Sequence, residues 1–430
     1  MANDRIQGVL KLTPLTPVHI GCGERYAPID YAIEQGQFKV KDVRRFFEAH
    51  RDNPQYALDA VASGLKVGDD FIRYSLPFHG SIAAPPVPRQ KPAPRGPQGR
   101  GGGRGPGPKV DAKMAKLMRQ AERAHPAPPP PPPRPAQQDR GGEVAAFVKD
   151  PFDRFYLPAS SVKGAIRTAL ACVLSEHIDP SRAVREATRD FHGRPPRAER
   201  AGGELNRHLF GEVIEDCMKA FVLRDSVPLA PDGFAITPVR VMNVTHQGFE
   251  EKRGMNIVLE SLMPAEAAIE LPFYLDTWRL QHDTALSRAV QGAGVRLLRD
   301  PTALVAALRQ HGQALARLEA NFYREQQQEA SARFFEELAE HDAPCMPLGY
   351  GTGWHTKTVG RMLRPRDIET IRQTFGQDRH GKPNKRMGTP GVALFPKTRK
   401  WARGAAGWQP MGWLRAELVW PGFEDRRTDG

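Results

Sequence analysis

Apolar residues recur along residues 6–20 with the spacing of a β-strand that buries one face, and this run ends in a glycine turn. Residues 31–40 predict a hairpin, because Gln35-Gly36 supplies a turn between two strand-like segments. Residues 42–50 follow directly and predict a short helix. The first part of the chain is therefore expected to form strands with a helix beside them.

Later segments mix the periodicities of strands and helices without a regular repeat. The predicted helices lie at residues 160–178 and 302–341, and the predicted strands lie at residues 220–224, 234–242, 267–275 and 415–420. Strands interleaved with isolated helices, without the spacing of βαβ units, favour an α+β fold class over a doubly wound sheet.

One segment departs from this pattern and also carries most of the net charge. Residues 84–142 hold sixteen of the 40 prolines, twelve Lys or Arg residues and three acidic residues, so they contribute +9 of the formal net charge of +13. Such a composition buries too little apolar surface to offset the entropy of ordering, and we expect a disordered insert with polyproline-II character. We favour a solvated insertion in a surface loop over a basic arm that contacts RNA.

The remaining composition argues against several classes of protein. The chain has no run of about eighteen apolar residues, so we expect no contact with a membrane. The N-terminus lacks the apolar region of a signal peptide, and we expect a cytoplasmic protein. The four cysteines lie far apart without the spacing of a zinc site, which predicts reduced thiols, no metal and no cofactor.

The first chemical motif is the start of a predicted helix, with Ser160 or Ser161 as its N-cap. Ser160, Lys163 and Arg167 are spaced to share one helix face, and Gly164 lets another backbone approach it. A helix N-terminus offers unpaired N–H groups and a positive dipole, so this arrangement predicts phosphate binding. An ordinary amphipathic helix with two solvated basic residues is an equally good interpretation.

The second motif is a glycine-rich loop at residues 348–358, in which three alternating glycines exclude a good strand or helix. The loop is not a nucleotide-triphosphate loop, because Thr356 occupies the position where that motif has a glycine. Exposed amides could hold phosphates while Tyr350 and Trp354 offer stacking faces, although a purely structural loop is the commoner outcome. The candidate phosphate-binding residues of the loop are Gly349, Gly351, Gly353 and Lys357.

The third motif, at residues 16–23, is a strand that ends in a polar glycine turn containing His19 and Gly21. His19 could act as a general base at neutral pH. We favour a structural or RNA-contacting histidine, because apolar residues flank it. Asp30 and Glu24 are isolated turn carboxylates, and no acid pair, Ser/His/Asp set or metal-ligand cluster emerges elsewhere.

These three motifs, in this order, resemble the RAMP superfamily of CRISPR proteins. PLTPVHIGCGE resembles its first strand and turn, YLPASSVKGAIRTAL its serine–lysine–glycine signature, and PLGYGTGWHTKTV its glycine-rich loop. Within the superfamily, the chain resembles the fifth-subunit family of type III-A (Csm) effector complexes. Two features depart from the pattern: Ala159 stands where the signature usually has glycine, and the long Pro/Arg insert has no family counterpart.

The resemblance implies two ferredoxin-like (RRM-type) modules. The first would comprise residues 1–83 and 143–270, and the second residues 271–430, with the disordered insert at 84–142. Modules of this type bind single-stranded RNA through sheet faces and loops.

The resemblance also implies a non-catalytic structural subunit that binds CRISPR RNA and caps the RAMP backbone filament at the 3′ portion of the guide. The expected partners are CRISPR RNA, other Csm or RAMP backbone subunits and, as a further candidate, target RNA. The glycine-rich loop would support the strand. The side chains that would hold phosphates are Ser160, Ser161, Lys163 and Arg167.

Three alternatives remain open on the sequence. The chain could be a metal-independent RAMP endoribonuclease that processes CRISPR transcripts with His19 as its base. It could be another backbone RAMP subunit, which needs a cleavage aspartate in an early loop, and Asp30 is the only nearby candidate. It could also be a general nucleic-acid-binding protein that uses its Arg/Gly arm.

Overall fold

A computed structural model describes most of the chain outside the insert. The described residues are 5–78, 142–177, 179–188, 203, 206, 209–210, 212, 216–282, 289–376, 394–404 and 407–420. One compact unit joins Met1–Ser81 to Glu143–Gly430, and a second unit comprises Ile82–Gly142. The prediction of disorder at residues 84–142 falls almost entirely outside the described residues.

Helices and strands are intermixed along the described chain. The strands are β1 (Arg5–Pro14), β2 (Gly21–Tyr26), β3 (Tyr31–Glu34), β4 (Gln37–Lys41), β5 (Ile72–Pro77), β6 (Val144–Phe147), β7 (Phe221–Leu223), β8 (Phe234–Thr245), β9 (Gly248–Glu251), β10 (Ile257–Leu262), β11 (Ile269–Asp276), β12 (Cys345–Pro347), β13 (Thr398–Gly404), β14 (Gly407–Pro410) and β15 (Trp413–Val419). The helices are α1 (Val43–Ala49), α2 (Pro54–Ala62), α3 (Ala159–Leu174), α4 (Pro180–Ala187), α5 (Thr277–His282), α6 (Ala289–Arg299), α7 (Pro301–Glu325), α8 (Glu329–Glu340) and α9 (Pro365–Phe375). This mixture agrees with the α+β prediction.

The first sheet, sheet A, has the strand order β12-β15-β1-β11-β7, and all its pairs are antiparallel. Strand β1 lies in the middle because Leu10 pairs with both Leu271 and Leu418. Leu10 and Leu12 are fully buried, as the strand-like alternation at the start of the chain predicts.

The second sheet, sheet B, carries the candidate site, and its main path is β14-β13-β8-β10-β6-β2. Its strands pair antiparallel except that β10 and β6 run parallel. One of its faces forms a small apolar cluster of Val239, Leu259, Ala402 and Met411, against which Tyr350 of the glycine-rich loop packs. This packing holds the loop against the sheet.

The third sheet, sheet C, has the order β3-β4-β5, and α1 and α2, which lie between β4 and β5 in the chain, pack around Phe46, Ala57 and Leu65. A buried polar network links it to sheet B. Tyr74 of β5 donates a hydrogen bond of 2.6 Å to the carboxylate of Glu260, which is fully buried in β10. Lys149 supplies the opposite charge at 2.5 Å from the other carboxylate oxygen, so the buried acid is paired.

Sheets A and B both contain strands from each side of residue 270. The division into two ferredoxin-like modules at that residue stays a prediction. Among the described helices, none has both the length and the apolar character needed to cross a membrane.

Candidate nucleic-acid interface

The three alternating glycines of the loop all adopt left-handed backbone conformations, with φ of 82° at Gly349, 87° at Gly351 and 102° at Gly353. A Cβ atom on Gly349 would lie 2.3 Å from the carbonyl oxygen of His19, and one on Gly351 would lie 2.9 Å from the sulfur of Met411. Gly353 has open space around it. The first two glycines are therefore required by both conformation and close packing.

The loop is anchored to the first motif by its backbone. The amide of Tyr350 donates a hydrogen bond of 2.7 Å to the carbonyl oxygen of His19. Within the described part of the chain, the amides of Gly351 and Gly353 donate no backbone hydrogen bond, while residues 350–351 form a hydrogen-bonded turn. Unpaired amides in a left-handed loop are suited to bind an anion.

Two lysines add positive charge to the loop. The ammonium of Lys400, on β13, lies 4.6 Å from the ring centroid of Tyr350. Burial lowers the pKa of Lys400, and the charge of Lys357 lowers it further. Desolvation also lowers the pKa of Lys357. Neither lysine contacts a carboxylate of any described residue, so both charges are available to an anionic ligand.

His19 is buried, and its Nδ1 lies 2.6 Å from the carbonyl oxygen of Glu260. Because a carbonyl only accepts, Nδ1 carries the proton. Burial is the main cause that lowers the pKa of His19 to about 4, and the charges of Lys149 and Arg25 lower it further. The ring is therefore neutral at pH 7. Gly21 lies against its other nitrogen, since a Cβ on Gly21 would be 2.9 Å from Nε2.

The serine–lysine–glycine motif forms the start of α3, as predicted, but the predicted N-cap is wrong. Pro158 is the N-cap residue, so Ser160 and Ser161 lie within the first turn. The cap is supplied from another segment, because a carboxylate oxygen of Asp225 accepts a hydrogen bond of 2.6 Å from the amide of Ala159. Asp225 thus provides a negative charge at the helix end where the sequence predicts a phosphate.

The two basic residues of α3 both contact partners within the chain. The ammonium of Lys163 donates a hydrogen bond of 2.6 Å to the carbonyl oxygen of Phe221. Arg167 forms a 2.5 Å ion pair with Asp216, and its guanidinium lies 3.9 Å above the ring centroid of Phe210. Phosphate contacts by these two residues stay a prediction.

Half-buried Tyr156 lies close to the start of α3. Burial raises the pKa of Tyr156, and the charges of Asp225, Asp150 and Cys22 raise it further. Tyr156 therefore lies near both the cap of α3 and the residue that follows Gly21. Gly164, farther along α3, is exposed and has open space around it.

Sequence reasoning missed three residues that lie near the predicted motifs: Lys400, Arg25 and Tyr156. Arg25 lies near enough to Tyr350 for its charge to affect the pKa of the tyrosine. The glycine turn predicted at the end of residues 16–23 is wrong, because Gly21–Tyr26 form β2, to which Arg25 belongs. Asp30, the candidate cleavage residue, accepts a 2.8 Å hydrogen bond from the amide of Ala27 within its own turn.

Comparison with known proteins places this geometry in a family. The chain shares its fold with a chain of the cryo-EM structure of a Csm–crRNA–target RNA ternary complex of a type III-A CRISPR-Cas system, with a TM-score of 0.62 and 21% identity over 95% of this chain and 100% of that chain. It also shares the fold of Csm5 from T. onnurineus in a crystal structure, with a TM-score of 0.54 and 19% identity over 95% of this chain and 99% of that chain.

At these identities the two structures show similarity of fold. No curated protein matches the chain. The model of the RAMP superfamily matches residues 11–361, which include all three motifs. The resemblance seen in the sequence is confirmed, and the chain belongs to the RAMP superfamily.

Proposed function

We propose that this chain is a structural subunit of a type III-A effector complex, which binds single-stranded CRISPR RNA and does not cut it. In this proposal it caps the backbone filament at the 3′ portion of the guide. Membership of the RAMP superfamily and the fold shared with a chain of a Csm–crRNA–target RNA complex support the assignment.

The observation that carries the proposal is the glycine-rich loop, where two lysines without carboxylate partners flank unpaired amides. Amides and ammonium groups bind phosphates whatever the base sequence, so the loop suits a guide of any sequence. Lys400 also contacts the ring of Tyr350, which brings positive charge to an aromatic surface. That combination is typical of proteins that bind single-stranded nucleic acid.

The state of His19 supports a binding role over a catalytic one. A general base is most effective when its pKa is close to the working pH. With its pKa lowered to about 4 by burial, His19 is a weak base at pH 7. Processing of CRISPR transcripts by His19 is therefore the less favoured alternative.

The test is to mix the purified protein, without metal, with end-labelled single-stranded CRISPR RNA and to run native and denaturing gels in parallel. We expect a shifted, uncut band for the wild type. The Lys357→Ala/Lys400→Ala double variant should bind more weakly, by about tenfold or more if each lysine holds one phosphate.

A matched control removes two exposed charges from the part of the chain that contains sheet C. The Arg51→Ala/Lys66→Ala variant should bind like the wild type at moderate salt. Equal weakening by both double variants would contradict the role of the loop. Cleavage at one site that disappears in His19→Ala would instead identify a processing nuclease.

A further inference from the structure

One polar atom beside the glycine-rich loop has no described partner. Nδ1 of His19 donates its proton to the carbonyl oxygen of Glu260 over 2.6 Å, so Nε2 is an unprotonated acceptor. Among the described residues, no donor reaches Nε2. Nε2 is accessible to a ligand, since the fully buried polar atoms without a partner in the described chain do not include it, and one hydrogen bond contributes about 0.5–1.5 kcal/mol. A ligand that brings a donor to this atom would therefore be stabilised.

The surroundings fix the direction in which Nε2 points. The ring of His19 meets the rings of Phe147 and Tyr350 edge-on, with 6.1 Å between centroids in each case. The side chain of Glu260 accepts a hydrogen bond of 2.8 Å from the amide of Phe147, which ties together the strands on which the ring rests. Flipping the ring would break its bond to the carbonyl of Glu260.

Nε2 faces the surface at Gly21. A Cβ atom there would lie 2.9 Å from Nε2, while Gly21 itself is exposed. The backbone of Gly21 is not in the left-handed region, unlike that of Gly23, whose φ is 94°. The missing side chain at position 21 therefore provides space. We call the exposed surface beside Nε2 of His19, which the missing side chain of Gly21 leaves open, the Gly21 notch.

We propose that Nε2 of His19 accepts a hydrogen bond from a ribose 2′-hydroxyl in the Gly21 notch, and that this contact makes the surface select RNA over DNA. The inference rests on the proposed function, because the RNA must first lie along the glycine-rich loop. That loop starts at the notch, where the amide of Tyr350 bonds to the carbonyl of His19.

The chemistry of the notch selects among the groups of a nucleic acid. A phosphate offers only acceptors at neutral pH, so the lone pair of Nε2 repels it. Phosphates are better placed at the nearby lysines and amides. The 2′-hydroxyl is a donor that RNA has and DNA lacks. Because the pKa of His19 lies near 4, protonation does not abolish the acceptor at physiological pH.

The experiment measures binding of the full-length protein to one RNA and to a set of its single 2′-deoxy and 2′-O-methyl derivatives. We expect one nucleotide at which the 2′-deoxy change weakens binding about five- to tenfold, the effect of losing one hydrogen bond. Two variants then remove the notch. Gly21→Ala fills it with a methyl group, and His19→Phe keeps an aromatic ring but removes both the acceptor Nε2 and the Nδ1 donor to Glu260.

The wild type should bind the RNA with the 2′-deoxy change at that nucleotide weakly. Both variants should bind the unmodified RNA equally weakly, and in them the 2′-deoxy change should not weaken binding further. His50→Phe is the matched control, because His50 lies at the end of α1 and should leave the discrimination unchanged. Thermal unfolding checks that each variant is folded. If His19→Phe unfolds, Gly21→Ala still decides the question, since the backbone of Gly21 lies outside the left-handed region and the nearest neighbours of the new methyl group are atoms of the His19 ring itself.

The outcomes separate this inference from the proposed function. If the wild type binds RNA and no single 2′-deoxy change weakens that binding, the inference is overturned and the proposed function stands. The inference is also overturned if the folded Gly21→Ala variant still distinguishes the unmodified RNA from the deoxy RNA. It is overturned as well if binding at the critical nucleotide depends on a base amino group and not on the 2′-hydroxyl. A wild type that does not bind RNA overturns both.

Discussion

At the scale of single residues, the glycines of the loop have different roles although their conformations are alike. Gly349 and Gly353 both have positive φ. A side chain at Gly349 would collide with the carbonyl of His19, whereas a side chain at Gly353 meets nothing within 4 Å. The pair therefore separates the effect of backbone strain from that of close packing.

We expect Gly353→Ala to lower the free energy of unfolding by about 1–2 kcal/mol, the cost of a left-handed conformation for alanine. Gly349→Ala should lower it by about 3–4 kcal/mol, since overpacking adds to the same strain. Urea unfolding followed by circular dichroism measures both values. Equal losses would mean that the loop moves away from His19 without cost.

The residue types of the loop could be predicted from the sequence, but the partners that complete the site could not. Lys357 and the glycines lie in one continuous motif. Lys400 joins them only because β13 pairs with β8 and places this lysine beside Tyr350. The free nitrogen of His19 was equally hidden, since its tautomer is set by Glu260, which is 241 residues away in sequence.

At the scale of elements, α3 shows how a helix with a phosphate-binding pattern can engage its own chain. Arg167 pairs with Asp216, and the side chains are 30% and 18% exposed. Asp216 also caps the short turn before β7, where it accepts a hydrogen bond from the amide of Met218. The pair thus fixes α3 against the segment that leads into sheet A.

A double-mutant cycle tests this role of Arg167. We expect Arg167→Ala and Asp216→Ala each to destabilise the protein, with a coupling of about 1 kcal/mol for a partly exposed ion pair. A slope of RNA affinity against salt that stays unchanged in Arg167→Ala would limit Arg167 to this structural role. A reduced slope with no coupling to Asp216 would instead show that Arg167 binds phosphate, as its helical position predicts.

Local signals explain which elements could be predicted. The hairpin at Gln35-Gly36 is confirmed, because both residues adopt the positive φ that the turn requires, 49° and 74°. The helical segment at 302–341 is two helices, and the chain turns at Gln327 with a φ of 57°. No glycine or proline marks that turn, so the apolar periodicity alone could not reveal it.

At the scale of the whole molecule, net charge is distributed unevenly along the chain. Of the net charge of +13, +9 belongs to residues 84–142 and +4 to the rest of the chain. The two lysines of the loop belong to the compact unit that joins Met1–Ser81 to Glu143–Gly430. The two hypotheses for RNA binding therefore need positive charge in different places. Binding through the insert uses the charge of residues 84–142, and binding through the loop uses the two lysines.

Replacing residues 84–142 by a short Gly/Ser linker separates these cases. The flanks are suited to the change, because Phe78 bridges to Ile236 of β8 while Val144 pairs with Val258 of the adjacent β10. We expect the shortened protein to stay folded and to bind CRISPR RNA, with a smaller salt slope because fewer distant charges attract the strand. Its remaining affinity should still fall in Lys357→Ala/Lys400→Ala. Loss of all binding in a folded, shortened protein would make the insert the binder, and the loop would then be a structural feature of sheet B.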